Sequence, residues 1–306
     1  MSDVRVGELI QNKENASRGD HIAIIGFPHD EGVRRNGGRV GAARGPENFR
    51  KLLKRTGTVI NPEFNLDCTN TKIIDLGDVA EDLDFDSSHS TLRQKVSQAI
   101  SVGSIPFVIG GGNDESYSNA AGLIENVKDI SRVAVINIDA HLDVREQKDG
   151  LEHSGSPFRL LLETKGFKGS NFIEFAAQGS QCSVQHAEFI TKQHNGQIFW
   201  LNNLRSNTNG IDKQFETLLN SLDVDHIFFS FDLDSVQSSD APGVSCPSPI
   251  GLTAYEALRL CFIAGSNPKV SLMDLSEYNP LIEDYRTAKL VTQMFYYFVM
   301  GFTSRS

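Results

Sequence analysis

The stretch Ile136-Asn137-Ile138-Asp139-Ala140-His141-Leu142-Asp143-Val144-Arg145 decides the fold. It continues a β-branched apolar run from Val133, and that run predicts a buried strand. The run then breaks abruptly into Asp139, His141 and Asp143. In an extended chain alternate side chains share a face, so these three are predicted to project together. Two carboxylates and an imidazole on one face repel and desolvate badly unless something positive sits among them, and a divalent metal does this well. A solvated strand end, with its charges fanning into water, is the plainer reading. A second stretch argues against it: Phe229-Ser230-Phe231-Asp232-Leu233-Asp234 is again an apolar strand ending in same-face carboxylates. Two such strands predict one site with four Asp and one His, too much negative charge for one ion and suited to two.

Outward from these stretches, further apolar runs predict strands at His21–Phe27, Thr71–Leu76, Ile105–Ile109, Phe172–Ala176, Gln197–Leu201, His226–Phe231 and Val270–Leu275. Helices fit Glu47–Lys54, Ser90–Val102, Ser116–Ile124, Val184–Lys192, Asp212–Leu222, Thr253–Ala264 and Tyr285–Met300. The glycines between His29 and Pro46 predict a loop that turns tightly. Strands alternating with helices predict an α/β fold, a mostly parallel sheet with helices on both faces. Such sheets hold their ligands beyond the carboxyl ends of the strands. The first glycine loop, Asn113-Asp114, Asp139–Asp143, Asp232–Asp234 and Glu277 all fall there, which predicts one site on one sheet edge. Residues 1–20 read as a polar N-terminal segment and residues 21–306 as a single catalytic domain.

The 306 residues carry a formal net charge of −10 and no basic stripe, which argues against a nucleic-acid surface. No run of 18 apolar residues exists, so no membrane-spanning helix is expected. The polar start predicts no signal peptide. Cys68, Cys182, Cys246 and Cys261 are scattered without C-x-x-C spacing, which fits reduced thiols and a cytoplasmic protein.

With these motifs in this order, the chain resembles the ureohydrolase family of arginases, agmatinases and formiminoglutamases, and most of all the formiminoglutamases. The resemblance runs from about Gly26 to Pro280. It is carried by Gly110-Gly111-Gly112-Asn113, Asp139-Ala140-His141-Leu142-Asp143, His153-Ser154-Gly155-Ser156-Pro157-Phe158-Arg159, Ser230-Phe231-Asp232-Leu233-Asp234 and Glu277-Tyr278-Asn279-Pro280. It implies a three-layer α/β/α fold with two Mn2+ per subunit. Asp139 and Asp232 would bridge the ions, Asp143 would complete one shell, and His141 with Asp234 the other. Chemistry alone admits Mn2+, Fe2+ or Zn2+. A bridging hydroxide would attack, Asp143 would accept its hydrogen bond, Glu277 would hold the cationic group of the substrate, and His153 would pass a proton to the leaving amine. Asn113 departs from the family, which has a histidine ligand there. A neutral amide oxygen is a weaker donor, so one ion is expected to bind loosely.

The resemblance leaves the substrate to be argued. Arg145 offers a bidentate socket for a carboxylate, with Arg159 as a second contact, and agmatine has no carboxylate to fill it. Hydrolysis of N-formimino-L-glutamate to L-glutamate and formamide is the resulting expectation. Another guanidine or amidine hydrolase is one alternative, and a non-catalytic relative with a weakened metal site is another. Family members form trimers or hexamers, so a homo-oligomer is implied by resemblance alone.

Overall fold

The computed structural model describes residues 4–12, 19 and 21–305. Its strands are β1 (Ile10–Asn12), β2 (His21–Gly26), a short antiparallel pair β3 (Ile60–Asn61) and β4 (Leu66–Asp67), then β5 (Ile73–Asp78), β6 (Ser104–Ile109), β7 (Val133–Ile138), β8 (Phe172–Ala177), β9 (Gln197–Trp200), β10 (His226–Asp232) and β11 (Val270–Ser276). All but β3 and β4 join one sheet, in the order β1-β5-β2-β6-β11-β10-β7-β8-β9. Every pairing in that sheet is parallel.

The helices are α1 (Glu31–Asn36), α2 (Gly45–Leu53), α3 (Phe85–Ser101), α4 (Glu115–Ile124), α5 (Pro157–Leu162), α6 (Val184–Glu188), α7 (Leu201–Ser206), α8 (Ile211–Ser221), α9 (Ala254–Ser266) and α10 (Arg286–Thr303). Alternation along each strand divides the core. On one face Ile136, Ile138, Phe229 and Phe231 pack with Phe49, Phe215, Leu260 and Phe295 from α2, α8, α9 and α10. On the other, Val133, Val135 and Phe228 meet Leu92, Leu123 and Phe158 from α3, α4 and α5. Because both faces are covered, every residue of β7 is buried, which is why its sequence is apolar on both faces save for Asn137. Removing one of these large side chains, as in Phe229→Ala, would cost about 3–5 kcal/mol.

The anticipated strands all form, and the anticipated α/β class holds. Four departures have local causes. The segment read as polar surface contributes β1, in which Ile10 pairs with Ile73 at the sheet edge, and Val6 before it is buried. Part of the glycine loop coils into α1 before Gly37 ends it with a φ of 83°. The helix expected from Ser90 begins at Phe85, because the Asp84 carboxylate caps it by accepting the Ser87 N–H at 2.8 Å. The helix expected over Val184–Lys192 is α6 followed by a π turn, Phe189–Gln193.

Candidate metal centre

Strands β6, β11, β10 and β7 are neighbours in the sheet, and their register aligns Ile109 with Leu275, Ser276 with Asp232, and Phe231 with Ile138. The residues that follow them therefore emerge side by side. Asn113, Glu277, Asp232 and Asp139 arrive at one edge from four strands.

Alternation along an extended strand, expected to gather these side chains, is not what brings them together. Strand β7 stops at Ile138, and the Asp139 carboxylate turns the chain by accepting the His141 N–H at 2.7 Å. Asp232 does the same at the end of β10, accepting the Asp234 N–H at 3.0 Å. Each D-x-H/D stretch is thus a turn closed by its own first aspartate. Asp143 and Glu277 take φ values of +42° and +65°, a left-handed conformation that costs a non-glycine residue energy. Two of the strained non-glycine positions are thus carboxylates of this one edge.

The result is a compact donor set. Ligand atoms of Asp139, His141 and Asp143 lie within 4.8 Å of one another, as do those of Asp139, Asp232 and Asp234. The His141 Nδ1 sits 3.3 Å from Asp139 Oδ1 and 3.2 Å from Asp234 Oδ2. Asp139, Asp232 and Asp234 are buried, and Asp234 Oδ1 has no hydrogen-bond partner among the described residues. Behind Asp139, the Asn137 amide donates to its Oδ2 at 3.2 Å and to Glu174 Oε2 at 3.0 Å.

Without a cation this crowding must be relieved by protons. Burial pushes the Asp143 carboxyl up to about 8, helped by the charge of Asp139, and pushes Asp234 up to about 6. Burial, with the neighbouring Asp234, raises Asp232 and Glu277 well above the usual carboxylate range. His141 is driven upward, chiefly by the charge of Asp234. Burial opposes ionisation of Asp139, but the bonds from His141 outweigh it and keep this carboxyl low. An unpartnered buried oxygen, and oxygen donors with one imidazole, fit a pair of divalent ions.

Asn113 is brought to the centre, but not with its oxygen forward. Its Nδ2 donates to Asp143 Oδ2 at 2.8 Å, while its Oδ1 accepts from Ser116 Oγ at 2.8 Å and Ser276 Oγ at 3.1 Å. Glu277 lies alongside and accepts the Asn113 N–H at 3.2 Å through Oε1. The tight backbone here needs glycine: a Cβ on Gly111 would fall 1.6 Å from the His29 carbonyl oxygen.

A cavity of about 200 Å3 opens onto the cluster and is walled by Asn36, Gly38, Arg145, Ser154, Ser245, Cys246 and Glu277. Arg145 Nη1 donates to Asn36 Oδ1 at 3.2 Å, and no carboxylate pairs with this guanidinium among the described residues. A larger hollow of about 510 Å3, lined by residues such as Trp200, Asn203 and Gln237, contains neither carboxylate nor imidazole, so chemistry favours the smaller one. Two expected site residues are not brought to its wall. Arg159 pairs instead with Glu146 at 3.4 Å and Glu163 at 3.2 Å, over the Phe189 ring. His153 is buried with both ring nitrogens engaged: Nε2 meets the Glu146 carbonyl at 3.0 Å and Nδ1 accepts the Gly155 N–H at 3.1 Å. Burial lowers its pKa.

The wall residues Asn36, Ser154 and Ser245 had no signal of their own, being common loop residues. Asn137 and Glu174 had one, as polar residues inside apolar strands.

Comparison with known proteins agrees with this geometry. The chain superposes on the crystal structure of Trypanosoma cruzi formiminoglutamase with Mn2+ at a TM-score of 0.93, with 45% identity over 100% of both chains. The structure of formimidoylglutamase from Bacillus subtilis gives 0.89 at 25% identity, covering 98% of this chain and 92% of that one. Formimidoylglutamase of Aeromonas hydrophila is 32% identical over 280 residues, which are 89% of this chain and 84% of that protein. The model of the arginase family matches residues 20–301, and the chain belongs to the arginase family.

Proposed function

We propose that this protein is a manganese-dependent hydrolase that converts N-formimino-L-glutamate to L-glutamate and formamide. The metal reading is supported by the donor set, and the relatives with this activity in their names support the reaction. The observation that carries the substrate is Arg145, a guanidinium on the cavity wall with no acidic partner among the described residues. A substrate carboxylate would complete it through paired, charge-assisted hydrogen bonds.

Asp139 and Asp232 would hold both ions, Asp143 one of them, and His141 with Asp234 the other. When bound, the metal pair polarises water so that a nucleophile is available near neutral pH. Asp143 accepts a hydrogen bond from the attacking nucleophile on its carboxylate, the first proton of the water having passed to solvent. Glu277, fixed by the Asn113 N–H, faces the cationic formimino group and orients its carbon toward the cluster. His153 supplies the proton to the departing nitrogen, for which its ring must first release the Glu146 carbonyl. Arg159 has no part in this scheme, because its guanidinium is already paired.

The test is turnover of N-formimino-L-glutamate, arginine and agmatine by protein reconstituted with excess Mn2+. Turnover of the acidic formimino compound alone is expected. Preference for arginine or agmatine would overturn the substrate reading, and metal binding with turnover of none would favour a non-catalytic protein.

A further inference from the structure

The cavity wall contains one group for which the proposed hydrolysis has no use, the thiol of Cys246. It is a free, exposed cysteine, and its sulfur lies within 4.8 Å of ligand atoms of both His141 and Asp234. The segment that presents it is tied down. The Arg39 Nε donates to the Ser245 carbonyl at 2.9 Å, its Nη2 to the Val244 carbonyl at 2.9 Å, and its backbone N–H to Ser245 Oγ at 2.8 Å. Val244 is fully buried, and the Gly243 N–H is held by Thr287 Oγ1 at 2.9 Å. Cys246 is therefore offered from an anchored backbone. Asp234, the carboxylate of that trio, is buried, and its Oδ1 makes no hydrogen bond among the described residues, so an acceptor atom is left unsatisfied there.

A sulfur, an imidazole nitrogen and a carboxylate oxygen form a donor set unlike the oxygen-rich one that suits manganese. Soft thiolates favour ions of the zinc and cadmium class, and manganese sits at the weak end of the affinity order. We propose that Cys246, His141 and Asp234 form a binding site for a thiophilic divalent cation at the mouth of the cavity. On binding, the sulfur–metal bond forms as the thiol proton passes to solvent, and no oxidation state changes. The site shares His141 and Asp234 with the manganese centre, so the two cations compete for these ligands. The proposal rests on the geometry of three side chains and holds whatever the substrate.

Cobalt is the probe, because a cobalt–thiolate bond announces itself by a near-ultraviolet charge-transfer band, while visible bands report cobalt held by any ligands. Metal-stripped wild-type protein titrated with Co2+ is expected to show both. Cys246→Ser should lose the charge-transfer band and keep the visible ones, and Cys182→Ser should keep both. Zn2+ should displace Co2+ from the wild type, with its affinity falling about tenfold or more in Cys246→Ser. Absence of the charge-transfer band in the wild type, its survival in Cys246→Ser, its loss in Cys182→Ser, or unchanged zinc affinity would each overturn the proposal. Since no substrate enters these measurements, their failure is separate from a failure of the hydrolase reading.

Discussion

The Asn113 amide nitrogen donates to Asp143 Oδ2 at 2.8 Å, so the residue at which the family resemblance implies a histidine ligand presents its donor side to the centre. Its oxygen is meanwhile engaged by the Ser116 and Ser276 hydroxyls. To ligate a metal the amide must turn over and give up these bonds.

Asn113→His should therefore tighten the ion that shares Asp143, by about tenfold or more if the imidazole reaches it. Metal content after dialysis is the readout. Wild-type protein is expected to lose manganese that the variant keeps; equal retention would show that Asn113 is not what weakens the position.

Arg145→Ala should raise KM for N-formimino-L-glutamate about tenfold, with a smaller change in kcat, as expected when a charge-assisted contact used in both ground and transition states is lost. Gly155→Ala offers an independent approach. A Cβ there would sit 3.0 Å from Arg145 Cδ and 3.1 Å from Asn36 Nδ2, forcing the guanidinium to shift. Its KM should move in the same direction; steady-state kinetics giving wild-type values for both variants would remove Arg145 from recognition.

The burial of Asp143 and Asp234 ties stability to pH. Their carboxyls titrate at about 8 and about 6 in the folded chain, above the unfolded value, so the contribution they make is full at low pH. It is lost as pH rises through these values, because ionisation then forces unneutralised charge into the cluster. Metal-stripped protein should melt at progressively lower temperature between about pH 5 and about pH 9, and the rise in Tm on adding Mn2+ should grow over the same interval. An equal rise at both ends of a thermal-shift series would contradict this.

His153→Ala separates two roles. If the imidazole delivers the proton, kcat should fall about 100-fold or more in protein that is fully folded. If its bonds to Glu146 and Gly155 only brace the loop, Tm should drop while the folded fraction turns over normally. We expect the first outcome from paired calorimetry and kinetics.

Much of this was legible in the residues. Apolar runs such as Val133–Ile138 marked the strands because a two-faced parallel sheet buries every position. Acidic residues directly after two of them marked the site. Strand β1 was hidden because its apolar run is only Leu9-Ile10 before polar Gln11-Asn12, too short to mark a strand, and it is recruited by its pairing with β5. The left-handed turns at Asp143 and Glu277 were also hidden, since tertiary contacts and not local preference impose them. The Asn137–Glu174 bond joins two strands distant in sequence, and no local pattern connects them. The same holds for the inward fold of His153.

The cavity draws its metal-binding floor and its wall from different sources. The floor comes from strand ends fixed by sheet register. The wall comes from α1, the loop around Ser154 and Gly155, and the Ser245-Cys246 segment fastened by Arg39. Changes at Asn36, Arg145 or Ser245 can reshape what enters without disturbing the donor set beneath. Such a division lets a lineage change its diet while keeping its chemistry, and it makes these wall positions the natural place to begin redirecting the protein toward a neutral or basic amidine.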